Sequence, residues 1–244
     1  MLNFIKAELY KQFKLPLIYV INAVLVAGLI LVCLSFNGTE SDIATKGFIL
    51  ERMGGIFPII AVFLTVFTSV SLDDYRYGTL KNIMSSDISR SKYYIGKLIV
   101  QTIMGLITSA VCLIALFIGL LLLPSGDDFG VYAMSFLLRC LCVIPVYIAL
   151  LSFIDLLVVM FKKGTVYLAY YLVPFALSIV LGILSSFSNI FEKLKYLSIG
   201  YALIPLTDTA ATNEQMIYAV VLGIFWTIVF TGLGLTIFKN REIK

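Results

Sequence analysis

The chain has 244 residues and no histidine. That removes imidazole general acid/base chemistry, histidine metal ligands and serine–histidine triads. No G-x-x-x-x-G-K-[ST] loop occurs, so ATP is not bound here in the P-loop manner. The four cysteines, Cys33, Cys112, Cys140 and Cys142, form no C-x-x-C pair and sit within or at the edge of apolar runs. They read as small packing residues. With no ligand cluster in view, neither a metal nor a resident cofactor is expected, and no catalytic residue can be nominated. Charge is scarce as well: 13% of residues are charged, against about 25% in a soluble domain. No obvious internal repeat and no separate soluble domain fit into the chain.

What is present is apolar. Hydrophobic residues make up 61% of the chain and the mean hydropathy is +1.03. An all-α integral membrane protein follows, a single transmembrane domain over residues 1–244. Six spans of about 20 residues or more are legible: Leu15–Phe36, Ile56–Leu72, Ile95–Leu123, Val131–Phe161, Thr165–Phe187 and Met216–Phe238. Pro145 and Pro174 lie inside the fourth and fifth and can kink them. Thirteen of the 18 Lys and Arg residues fall on the side of the two termini. Lys46, Arg52, Lys193 and Lys195 fall on the other, and Arg139 lies within a span. The positive-inside rule puts both termini in the cytoplasm. The net charge of +4 reflects this bias and is no sign of nucleic-acid binding. The first apolar run is too long for a cleaved signal peptide and lacks a clean small-x-small site, so an uncleaved first span is expected. Ahead of it, residues 1–14 read as an interfacial helix. Leu2, Ile5, Leu9 and Phe13 share one face, and Lys6, Lys11 and Lys14 lie off it.

Between spans two and three, residues 73–93 form a polar cytoplasmic loop. Gly78 can break the preceding helix and Thr79 can cap a new one by accepting a backbone N–H. Leu80, Ile83 and Met84 then form an apolar ridge at i, i+3, i+4 spacing, with Lys81 and Asn82 beside it. Such a ridge suits a groove on a partner protein. The alternative is an amphipathic turn resting on lipid headgroups. Asp87 or Ser89 can start the following helix.

The string Tyr77-Gly78-Thr79-Leu80-Lys81-Asn82-Ile83-Met84, then Ser89-Arg90 and Gly96-Lys97, resembles the motif of ABC-2-type transporter permeases. In that family an acidic residue, a Gly-Thr-Leu run, a Ser-Arg pair and a Gly-Lys pair recur after span two. The layout also matches the family's type V exporter-like architecture. The family's acidic residue is usually Glu; here Asp73 or Asp74 stands in that place, and Ser86 or Asp87 stands where the family often has Pro. The resemblance implies that the loop is a coupling helix docking on a separate ABC ATPase, present in two copies and carrying ATP and Mg2+. Gly78, Thr79, Leu80, Lys81, Asn82, Ile83 and Met84 would then touch the ATPase, and Arg90 and Lys97 would anchor the return into span three. It also implies a multi-pass protein of a bacterial cell membrane.

Arg139 and Asp155 in span four and Asn22 in span one are candidates for a transport pathway. Arg139 and Asp155 are ~24 Å apart along one helix and cannot pair there. Snorkelling of Arg139 and interhelical bonding of Asn22 are the plainer alternatives. Ala23 and Ala27 in span one, and Ser178 and Gly182 in span five, are small residues at i, i+4 spacing. The resemblance implies that such spans join two permease copies, identical or related, while packing within one subunit explains the spacing equally well. The external segment 185–215 carries two apolar patches, and the resemblance implies short helices dipping back toward the membrane. The expected function is the permease subunit of an ATP-driven exporter, not itself catalytic, moving an amphipathic or hydrophobic substrate: an antimicrobial or other peptide, a drug or a lipid. The rivals are an ion-coupled transporter or channel using Asp155, and an ATPase-linked sensor that moves nothing.

Overall fold

The computed structural model describes residues 1–36, 45–68, 71–76, 78–85, 88–123, 129–161, 164–208 and 210–240, and among these there are only helices and short connections. In chain order they are α1 (Leu2–Phe13), α2 (Pro16–Phe36), α3 (Lys46–Thr68), α4 (Ser71–Arg76), α5 (Thr79–Ser85), α6 (Arg90–Leu120), α7 (Phe129–Phe161), α8 (Thr165–Leu184), α9 (Asn189–Leu197), α10 (Ile199–Thr207) and α11 (Asn213–Asn240). Six are long and apolar enough to cross a membrane: α2, α3 with its continuation through Tyr75, α6, α7, α8 and α11.

Span two starts ten residues earlier than hydropathy places it, at Lys46 rather than Ile56. Lys46, Glu51 and Arg52 depress the local hydropathy. They are nevertheless carried on a helix whose other side buries Ile49, Leu50 and Met53 against Leu116, Cys112 and Phe136. Lys46 and Arg52 therefore belong to the N-terminal end of a span and not to a loop. Cys33 and Cys112 are buried in this same cluster as free thiols, in the packing role expected of them. Lys162 and Lys163 lie outside the described residues.

Helix α7 is the axis of the bundle. Of its most apolar window 78% is buried, against 11% for α2 and for α8. The main core gathers Val146, Leu150, Ile154 and Val158 of α7 with Ala219, Leu222 and Phe230 of α11, Tyr170 of α8 and Ala202 and Leu206 of α10. So α10 turns back into the bundle between α8 and α11, while α9 buries no residue.

Pro145 removes one backbone bond from α7, and α11 approaches there through a glycine. A Cβ at Gly223 would lie 2.7 Å from the Val146 nitrogen and 2.8 Å from the Pro145 carbonyl carbon. Backbone cannot step aside as a side chain can. Gly223→Ala is therefore expected to destabilise the α7–α11 contact by about 1–3 kcal/mol through overpacking. Gly232→Ala in the same helix meets nothing within 4 Å and should stabilise slightly by helix propensity. Thermal unfolding of the two variants in lipid nanodiscs separates these outcomes.

Candidate coupling site

The polar loop after α3 folds into a compact joint. Gly78 takes φ +67°, a left-handed conformation that favours glycine, and it sits between α4 and α5. The reversal brings Thr79 over α4. Its hydroxyl, expected as a cap, donates to Asp74 Oδ1 at 3.0 Å.

Asp74 is the hub. Its side chain is fully buried and also accepts from Tyr93 Oη at 2.7 Å, from Lys97 Nζ at 2.6 Å and from Lys11 Nζ at 3.3 Å. Asp73 is only half-buried, so of the two adjacent acids it is Asp74 that the neighbouring helices grip. Lys97, likewise buried, bridges to Glu8 of α1 at 2.6 Å. Two acids and two ammonium groups thus balance inside one knot joining α1, α4, α5 and α6. Burial draws the Lys11 ammonium down, but the Asp74 carboxylate, then Glu8, more than offset this and hold it above its ordinary value. Its share of the attraction is therefore fully present at physiological pH and is lost only as pH rises through that raised value.

The residues flanking this knot each have a local reason. Ser89 is the N-cap of α6, its hydroxyl accepting from the Lys92 N–H at 3.4 Å. Asp87 lies outside the described residues. Arg90 donates to the Phe238 and Lys239 carbonyls at the C-terminal end of α11, where unsatisfied carbonyls favour a cation. Gly96 makes room for α1: a Cβ there would lie 2.7 Å from the Phe4 ring.

The apolar ridge of α5 points the other way from expectation. Leu80 is buried with Tyr93, Tyr94, Val159 and Phe238, and Ile83 and Met84 pack onto the same cluster. The ridge is thus covered by the chain's own helices, because α5 folds back over the ends of α6, α7 and α11. The outward face is formed by Gly78, Lys81 and Asn82. Helix α1 splits its expected apolar face: Ile5 and Leu9 pack on Val100 and Met104 of α6, Leu2 and Phe13 are exposed, and Glu8 and Gln12 are buried against the bundle.

The intramembrane candidates scatter. Arg139 is buried, packs its Cδ 3.4 Å from where a Gly54 Cβ would sit, and donates to the Asp208 carbonyl at the end of α10. It thereby ties the end of α10 to α7 and does not snorkel. Asn22 donates to Ile18 of its own helix at 2.8 Å, so the expected interhelical bond does not form through that amide. Asp155 accepts from Gln101 at 3.0 Å. Ala23, Ala27 and Ser178 are exposed and Gly182 is half-buried, with nothing within 4 Å of its would-be Cβ. Among the described residues, packing within the subunit leaves these small residues largely uncovered.

Glu8, Tyr93 and Gln101 were not singled out from the sequence. A usable signal existed. Tyr93, Lys97 and Gln101 recur at i, i+4, i+8 and form a polar stripe on an otherwise apolar helix.

No curated protein matches the chain. A family model described as ABC-2 family transporter protein matches residues 4–185, from α1 to the end of α8. The chain therefore belongs to the ABC-2 transporter family, the membrane permease components of ABC transporters, which are not themselves catalytic and associate with an ABC ATPase.

Proposed function

We propose that this chain is one of two permease subunits of an ATP-driven exporter, and that a separate ATPase docks on the outward face of α5 around Gly78, Lys81 and Asn82. The observation that carries this reading is the joint behind that face. A short exposed helix is connected through Thr79, Asp74 and Lys97 to α1 and α6, and through Leu80 to α7 and α11. A push on α5 is therefore delivered to several elements at once, as a coupling element requires. ATP and Mg2+ would reside on the ATPase, one per permease. Its binding of ATP would favour one arrangement of the spans only if its contacts differ between the two arrangements.

The second permease copy would meet the faces carrying Ala23, Ala27, Ser178 and Gly182 on α2 and α8, the least buried of the spans. Small residues there permit close approach of helices. Both termini would lie in the cytoplasm of a bacterial cell, with α9 and α10 on the far side as a partly re-entrant cap. A cleft of about 330 Å³ between α3, α6 and α7 is lined almost wholly by apolar side chains, among them Phe57, Leu113, Leu137 and Ile144. It is in keeping with an amphipathic or hydrophobic cargo such as a peptide, a drug or a lipid.

The test is affinity purification of the tagged chain from its native membrane in mild detergent. A P-loop ATPase is expected to co-purify in equimolar amount, and the pair should hydrolyse ATP in liposomes. Recovery of intact chain with no ATPase would overturn the reading.

A further inference from the structure

One turn above Lys97 on α6, and separate from the charged knot, a second polar group lies inside the bundle. Gln101 is fully buried. Its Nε2 donates to Ser71 Oγ of α4 at 2.8 Å and to Asp155 Oδ1 of α7 at 3.0 Å. Asp155 is 1% exposed and lies six residues, ~9 Å, from the inner end of its helix. Three neighbouring buried oxygens, Asp155 Oδ2, Gln101 Oε1 and the Tyr94 hydroxyl, have no hydrogen-bond partner among the described residues.

No cation answers Asp155. Lys97 is engaged by Glu8 and Asp74 at 2.6 Å each, and among the described residues no ammonium or guanidinium lies within 4.0 Å of the Asp155 carboxyl. The surrounding elements add little. From α6 the titratable groups facing it are Tyr94 and Lys97, and α4 adds the uncharged Ser71 hydroxyl. Helix α11 brings Thr231, bonded to Ser152, and Gly234 under the Tyr94 hydroxyl. Between Arg52 and Asp73 the α3 segment has no charge, and α8 and α10 have none. An ionised carboxylate so placed would cost several kcal/mol without a counter-charge.

A single proton resolves the charge and two of these three orphans. It removes the charge and gives Oδ2 a donor. The carboxyl and amide are already joined through Nε2 and Oδ1, so that donor has an orphaned acceptor next to it in Gln101 Oε1. We infer that Asp155 is an intramembrane proton-binding site, carrying its proton on Oδ2 and sharing it with the Gln101 amide. Resting on the permease reading, a consequence follows. Gln101 is one helical turn from Lys97, so a displacement of α6 at the coupling joint draws the amide away from Asp155. The carboxyl then meets solvent water, gives up the proton to it and becomes a carboxylate. Reclosure takes the proton back.

The protonation itself is tested without any ATPase, by infrared spectroscopy of the full chain in lipid nanodiscs at neutral pH. A carbonyl band of an un-ionised carboxylic acid is expected, absent from Asp155→Asn and shifted in Gln101→Leu. Loss of only ionised-carboxylate absorption in Asp155→Asn overturns the inference. So does an acid band that appears only when sodium is replaced by choline, which would make the site a metal-cation site. Should Asp155→Asn fail to fold, an acid band missing from the unsubstituted chain, or unmoved by Gln101→Leu, overturns it equally.

Discussion

Lys97→Met will lower stability by about 3–5 kcal/mol, the range for a buried ion pair deprived of one partner. The expected readout is a fall in the unfolding midpoint of about 10 °C or more in lipid nanodiscs. Lys97 touches Glu8 and Asp74 at 2.6 Å each and is itself almost wholly buried. Without it two buried acids face one another, and only Lys11, half-exposed and 3.3 Å from Asp74, remains to balance them. The effect belongs to the stranded charges and not to the lost methylenes, since Met keeps most of the packing. That distinction is measurable. The triple variant Lys97→Met, Glu8→Gln, Asp74→Asn removes every stranded charge and should recover most of the lost stability. If it does not, the lysine stem and its packing against Tyr93 are what matter, and the charge argument fails.

The recovery, if seen, also bears on function. A buried ion cluster is weak evidence for stability as such, because apolar replacements often do as well. Its use here is geometric. Three residues in one knot come from positions 8, 74 and 97, and no apolar contact would fix α1, α4 and α6 in a single register so narrowly. The neutral triple variant should therefore fold and still lose coupling between ATP hydrolysis and transport.

Much of the architecture was legible in the sequence, and for a physical reason. Lipid demands about 20 apolar residues per span and polar loops between them, so hydropathy reports the spans directly. Span two was misplaced where that rule is softest. Lys46, Glu51 and Arg52 sit in the N-terminal part of α3, and Arg52 lies over the Phe48 ring at 5.2 Å. The motif Gly-Thr-Leu, Ser-Arg, Gly-Lys falls on the joint, yet the direction of each side chain was not readable. An apolar ridge on a short helix looks the same whether a partner covers it or the chain's own helices do. Leu80 is buried because α5 folds back upon α6 and α11, a contact set by Gly78 and by residues more than 150 positions away at Phe238. Nor could spacing choose between Asp73 and Asp74. The choice is made by Lys97 and Lys11, distant in sequence and adjacent only in the fold.

Lys81→Glu will abolish co-purification of the ATPase while leaving the permease folded. Lys81 and Asn82 are exposed on the outward face of α5, and substitutions at such positions usually change stability by no more than about 0.5 kcal/mol. Reversing a charge at a docking contact is another matter, since like-charge juxtaposition costs several kcal/mol. At 1.4 kcal/mol per tenfold, a loss of affinity of about 100-fold is expected. Leu80→Asp supplies the contrast. It places a charge in the cluster of Tyr93, Tyr94, Val159 and Phe238, so it should depress the unfolding midpoint and the ATPase recovery together. The two variants therefore separate docking from folding, which Leu80→Asp alone cannot do. If Lys81→Glu binds the ATPase normally and Leu80→Asp, still folded, does not, then the inward ridge must be released to a partner on docking. Helix α5 would then be a latch that the ATPase opens. If neither variant affects recovery, the ATPase meets the permease elsewhere, and the joint around Asp74 serves the fold alone.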